Sequence, residues 1–98
     1  MRWVEIITLR SNGNFQESLI QELLKPGAKG DGSNGLIAMK IYRNAWVSND
    51  LSIHLRWRSM NAEPKESPIG IRLSETLKEL GLVNHSIWVE EKKERGSL

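Results

Sequence analysis

Residues 51 to 58 read Leu-Ser-Ile-His-Leu-Arg-Trp-Arg, so that Leu51, Ile53, Leu55 and Trp57 alternate with Ser52, His54, Arg56 and Arg58. A strict period of two marks a strand with one buried face. Upstream, Trp3 to Leu9 is rich in β-branched and apolar residues and is closed by the turn formers Ser11-Asn12-Gly13-Asn14, which predicts a first strand. Asn14 and Glu17 stand at capping-box spacing before a stripe of Phe15, Leu19, Ile20, Leu23 and Leu24, and Pro26-Gly27 ends the segment. That pattern predicts a first helix. Leu36 to Val47 alternates through Ile37, Met39 and Ile41 and turns at Ser48-Asn49-Asp50, giving a hairpin with the strand at 51 to 59. Ser67-Pro68 supplies an N-cap and a first-turn proline for a second helix, with Ile69, Leu73, Leu77 and Leu80 on one face. Gly81 is placed for a left-handed C-terminal cap, and Ser86 to Glu90 reads as a last strand.

The order strand, helix, strand, strand, helix, strand predicts a ferredoxin-like α+β domain over residues 1–90, followed by a charged tail at 91–98. Right-handed crossovers would put both helices on one face of a four-stranded antiparallel sheet, with the first and third strands central. Parity then assigns Val4, Ile6, Ile37, Met39, Ile41, Ile53, Leu55, Trp57, Ile87 and Val89 to the helix side. The open side would carry Trp3, Glu5, Ile7, Leu9, Ala38, Lys40, Tyr42, Trp46, His54, Arg56 and Trp88. So many aromatic residues on an uncovered sheet call for a partner, and a second copy of the same face is the economical one. Trp3, Glu5, Tyr42, Trp46, His54, Arg56 and Trp88 are therefore the expected dimer interface, with Glu5 able to pair with His54 or Arg56.

Composition narrows the function classes. The chain has 98 residues, 14 Lys plus Arg against 12 Asp plus Glu, and a net charge of +2, too small for a dedicated polyanion binder. With no cysteine and two histidines, His54 and His85, disulfides, thiolate metal sites and cysteine nucleophiles are excluded and no metal site is expected. No apolar run approaches the ~20 residues of a membrane span, which points to a cytoplasmic protein without membrane contact. Half of the eight glycines fall in Gly27 to Gly35, a stretch that lacks a Gly-Lys-Ser/Thr ending and leads into a strand. A flexible connector, or less readily a flap over a pocket, fits it better than a phosphate cradle.

The segment His54-Leu55-Arg56-Trp57-Arg58-Ser59, taken with the element order, resembles the dimeric α/β-barrel group, and in particular the antibiotic biosynthesis monooxygenase-type domains. Their strand ends in a similar Trp-x-Ser pattern before the second helix. The resemblance implies sheet-to-sheet homodimers that bind small aromatic, quinol or haem-type molecules between sheet and helices, in some members oxidising them with molecular oxygen and no separate cofactor. Trp57 matches a tryptophan that lines the pocket in several members, which makes it the candidate catalytic or stacking residue. Asn61 and Arg72, near the second helix entrance, are candidates for a polar pocket rim. Haem degradation is disfavoured, because there is no histidine between Asn61 and Asn84 and the first strand reads Val4-Glu5-Ile6-Ile7-Thr8 where haem-degrading relatives have an asparagine.

Each candidate also has a plain structural reading. A strand-terminal tryptophan is more often core, its indole N–H tied to a loop. His54 fits a hydrogen-bonded interface histidine better than an acid or base, because no second catalytic group is visibly paired with it. His85, at a loop–strand junction, is expected to face solvent. The function expected is thus a cofactor-independent monooxygenase-like protein or a binder of small aromatic molecules. The alternative is a non-catalytic homodimeric ligand-binding or assembly domain. An RNA-binding sheet follows at a distance, since the third strand lacks the Gly-aromatic-Gly/Ala-Phe signature.

Overall fold

A computed structural model of the chain describes residues 1–11, 13, 17–24, 35–58 and 63–91. The elements run β1 (Arg2–Ser11), α1 (Glu17–Leu24), β2 (Leu36–Arg43), β3 (Asp50–Arg58), α2 (Pro68–Leu77) and β4 (Gly81–Val89). The four strands form one antiparallel sheet in the order β2-β3-β1-β4. The first and third strands are central as expected, and this α+β arrangement is compatible with the ferredoxin-like fold. The expected Asn14 cap, the glycine-rich stretch over 27–34, Asn61 and the 92–98 tail lie outside the described residues.

One face of the sheet carries the core. Trp3, Ile7 and Leu9 of β1, Leu51, Ile53, Leu55 and Trp57 of β3, and Leu36 and Met39 of β2 are buried together with Leu73 and Leu77 of α2. Leu19 of α1 packs against the same cluster. Each fully buried Ile or Leu here contributes roughly 1.5–3 kcal/mol through removal of its surface from water.

The parity of β1 is the reverse of the expected one. Trp3, Glu5, Ile7 and Leu9 point to the core, while Val4 and Ile6 lie half-buried on the other face. In the middle of β1 the choice lies between Val4 and Ile6 on one side and Glu5 and Ile7 on the other, and there the charge on Glu5 favours burying Val4 and Ile6; Arg2 and Arg10 at the two ends favour the opposite. The register with β3, which sets Trp3 opposite Trp57 and Ile7 opposite Ile53, buries the larger set and takes Glu5 inside with it. In β2 a register shift between Leu36 and Ala38 lets Leu36 and Met39 both face the core and leaves Ile37 exposed. Trp46 is not on the sheet at all. It lies almost fully exposed in the β2–β3 turn, where Asn44 Oδ1 accepts from the amides of Trp46 and Val47 at 2.8 and 2.9 Å.

Helix α2 begins as its sequence prescribes. Ser67 is the N-cap, its hydroxyl accepting from the Gly70 amide at 2.9 Å, and Pro68 follows in the first turn. Its end differs from expectation, because Gly81 has no positive φ and β4 starts there, five residues earlier than Ser86. Gly81 serves close approach instead, since a Cβ on it would lie 2.1 Å from the Arg10 carbonyl oxygen of β1. Gly81→Ala is therefore expected to lower the unfolding free energy by about 1–3 kcal/mol in urea titrations. Gly13→Ala, where a Cβ meets nothing within 4 Å, should be close to neutral in the same assay.

Candidate functional site

The feature with the most chemistry is Glu5, fully buried under the start of α2. Its Oε2 accepts the Ser67 amide at 2.9 Å and its Oε1 accepts the Ser67 hydroxyl at 2.7 Å, so one residue clamps both carboxyl oxygens. The Trp57 indole N–H donates to Oε1 at 3.2 Å, and His85 Nε2 lies 2.5 Å from Oε2. Four donors from β3, β4 and the α2 N-cap thus converge on one carboxyl group at the N-terminal end of the helix. Space is made by Gly70, where a Cβ would fall 1.9 Å from Glu5 Oε2.

His85 extends this chain of hydrogen bonds outward. With Nε2 donating to the carboxylate, Nδ1 faces away from Glu5, 3.1 Å from the Ser74 hydroxyl and 3.3 Å from Glu66 Oε2. A neutral ring accepts the Ser74 proton there, and a charged ring donates to Glu66. The buried carboxylate is thereby linked through imidazole to a cleft of about 230 Å³ between α2 and β4, lined by Glu66, Ile71, Ser74, Glu75, Lys78, Val83 and His85.

The other face of the sheet is open. Trp88 and Tyr42 stand more than half and about half exposed, with the exposed bulge residue Ile37 nearby and Val4 and Ile6 half-buried between them. A shallow concavity of about 460 Å³ lies among Val4, Ile37, Lys40, Tyr42, Arg56 and Trp88. His54 belongs to this face. Its Nε2 is 2.9 Å from the Ser52 hydroxyl and its ring lies 4.8 Å from that of Tyr42. Partial burial holds its pKa below the usual histidine value.

The expected site residues are therefore split. Trp57 is core: it stacks on Trp3 at 5.4 Å with an interplanar angle of 14°, and its N–H is held by Glu5. Trp3 and Glu5 leave the expected interface for the interior, and Trp46 leaves it for the turn. Tyr42, His54, Arg56 and Trp88 do share the open face. Arg72 is exposed on α2. His85 is the residue that sequence reasoning missed, being largely buried rather than solvent-facing. The period of β4 carried the signal, because Val83, His85 and Ile87 form one alternating set opposite Leu9, Ile7 and Glu5. Among the described residues no group of three His, Cys, Asp or Glu could hold a metal ion, and no helix is long and apolar enough to cross a membrane.

No protein-family model and no curated protein matches this chain. In structure it is similar to Rv0793 from Mycobacterium tuberculosis, with a TM-score of 0.59 over 95% of this chain and 98% of that one, at 16% sequence identity. At that identity the likeness establishes the fold.

Two outcomes follow from the site. Glu5→Gln replaces an acceptor with an amide that must turn a donor toward Ser67, Trp57 or His85, and is expected to cost about 3 kcal/mol in chemical denaturation. For His54, the unfolded chain takes up a proton near pH 6.5 and the folded chain only at lower pH. The unfolded state therefore binds more protons just below pH 6.5, so stability falls on acidification through that range. Melting curves of His54→Gln should show a weaker loss between neutral pH and pH 5 than the wild type.

Proposed function

We propose that the chain is the subunit of a homodimer of the dimeric α/β-barrel, antibiotic biosynthesis monooxygenase type, formed sheet on sheet, and that each subunit binds a small aromatic, quinol-type molecule. The observation that carries the dimer is the exposure of Trp88 and Tyr42 on the open side of the sheet, around the half-buried Val4 and Ile6 and beside the exposed bulge residue Ile37. An apolar, aromatic patch on the flat side of a small domain is the kind of surface that a two-fold partner covers. Arg56 lies within this face, between Ala38 and Val4, and Lys40 lies beside His54 on the edge strand, so a packed pair of sheets has to pair or hydrate both cations. The resemblance around Trp57 supports the ligand class. Trp57 itself acts as a positioning residue in this reading, holding Glu5 rather than stacking on the ligand.

A second reading, a non-catalytic homodimeric assembly domain, is favoured by a different observation. Trp57 is buried, with one face stacked on Trp3 and its N–H held in the Glu5 network, which is the packing of a core residue. Titration of tryptophan fluorescence with a panel of monocyclic quinols separates the two. Saturable quenching supports the binder, and no response to any member supports the assembly domain.

The dimer is tested on its own by size-exclusion light scattering. Trp88→Ala and His54→Glu are expected to shift the protein toward monomer by at least about tenfold in dissociation constant, the loss of one well-packed interface anchor. A full dimer for both variants at dilute concentration would contradict the choice of face.

A further inference from the structure

We propose that His85 is the general base of a small binding site between α2 and β4, and that the site takes the acidic hydroxyl of a single-ring phenol. The proposal rests on the reading of the protein as a binder of small aromatic molecules and gives that molecule a place and a reacting group. Three observations converge on it. First, the Glu5 carboxylate fixes His85 through Nε2, which places the ring's remaining nitrogen, Nδ1, toward the cleft. A carboxylate behind an imidazole orients it and stabilises the cation formed when it takes a proton. Neither Glu5 nor His85 can turn away, because Ser67 and Trp57 hold the carboxyl group and Gly70 closes over it.

Second, Nδ1 meets two oxygens, the Ser74 hydroxyl at 3.1 Å and Glu66 Oε2 at 3.3 Å, and the Glu66 side chain is half exposed; a phenol takes the place of Glu66 while the Ser74 hydroxyl turns from Nδ1 to the phenolic oxygen. An anionic oxygen on a mobile arm occupies the position that a phenolic oxygen would take. Third, the walls suit one ring. Ile71 and Val83 are apolar, the Ser74 hydroxyl can donate to the same oxygen, and the Lys78 ammonium lies at the mouth, loosely paired with Glu75 at 3.9 Å. At about 230 Å³ the cleft is smaller than the roughly 300–1,000 Å³ of drug-sized sites. Its size matches a single ring, a monocyclic phenol or quinol.

The step is a proton transfer alone. The phenol O–H bond breaks, its proton passes to Nδ1, and the imidazolium so formed stands between the Glu5 carboxylate and the phenolate. Lys78 and the Ser74 hydroxyl then face the phenolate oxygen. Glu5 acts through His85 and touches no ligand.

The test uses 4-nitrophenol, whose ionised form absorbs visible light, at a pH where the free phenol is half ionised. Titration of the full-length protein is expected to give a saturable rise in nitrophenolate absorbance. His85→Gln should weaken binding by about tenfold or more and abolish the rise. Glu66→Ala, which removes the internal competitor, should tighten binding, an effect that a purely structural His85–Glu66 contact does not produce and one that decides the matter should His85→Gln fold poorly. No rise with the wild type, a rise that survives in His85→Gln, or weaker binding in Glu66→Ala would each overturn the assignment. Quenching by the quinol panel in the face of such a result would leave the aromatic-binding reading standing with its site elsewhere.

Discussion

A single buried carboxyl group ties three strands and a helix together. Glu5 sits in the middle of the central strand β1, and its acceptors are filled from Trp57 on β3, His85 on β4 and Ser67 at the head of α2. Burying a carboxylate is expensive unless each lone-pair direction finds a donor, and the expense recurs if any donor is lost. The group therefore acts as a register pin. Moving β1 by one residue would expose Glu5, bury Val4 and Ile6, and strand the Ser67 amide, the Trp57 indole and the His85 imidazole without their acceptor. Apolar contacts supply most of the stability, yet they distinguish poorly between the two faces of β1. The carboxylate distinguishes them sharply.

The same arrangement explains why the helix starts where it does. Ser67 faces two ways, accepting from Gly70 as an N-cap and donating to Glu5. The helix entrance is thereby fixed to the sheet through the residue that caps it, and Gly70 allows the first turn to descend onto the carboxyl group. The outward arm through His85 is the part of this network that reaches a cleft, which is why a structural device also offers proton-transfer chemistry. Held between a buried and a mobile carboxylate, the imidazole connects a rigid interior to a changeable surface.

The element order and the centrality of β1 and β3 were legible in the sequence, because β3 alternates without ambiguity and the turn and cap residues punctuate the rest. So was the α2 start at Ser67-Pro68. What resisted was the side of β1 that faces inward, since Val4 and Ile6 are as apolar as Ile7 and the charge on Glu5 argues locally for solvent. Only the partners, scattered at positions 57, 67 and 85, reverse that preference, and each has an ordinary local reading of its own. The bulge at Ile37 left no trace in the pattern either, and the exposed Trp46 shows that an aromatic residue beside a turn need not belong to the strand it follows. Among the site residues, the open-face set of Tyr42, His54, Arg56 and Trp88 followed from parity. His85 did not, because β4 begins at Gly81 rather than Ser86.

If Glu5 pins the fold, the protons pointing at it should be among the last to leave. The direct measurement is native-state hydrogen exchange followed by NMR, comparing the indole N–H of Trp57 and the amide of Ser67, which point at Glu5, and the amide of Gly70, which points at the Ser67 hydroxyl, with the indole N–H of the exposed Trp46. The account predicts that the three inner protons exchange only through global unfolding, with opening free energies equal to that of the whole domain, while Trp46 exchanges at the rate of an unprotected indole. Exchange of Trp57 and Ser67 through local opening, well below the global free energy, would show that the carboxylate is a bystander in a fold held by its apolar core alone.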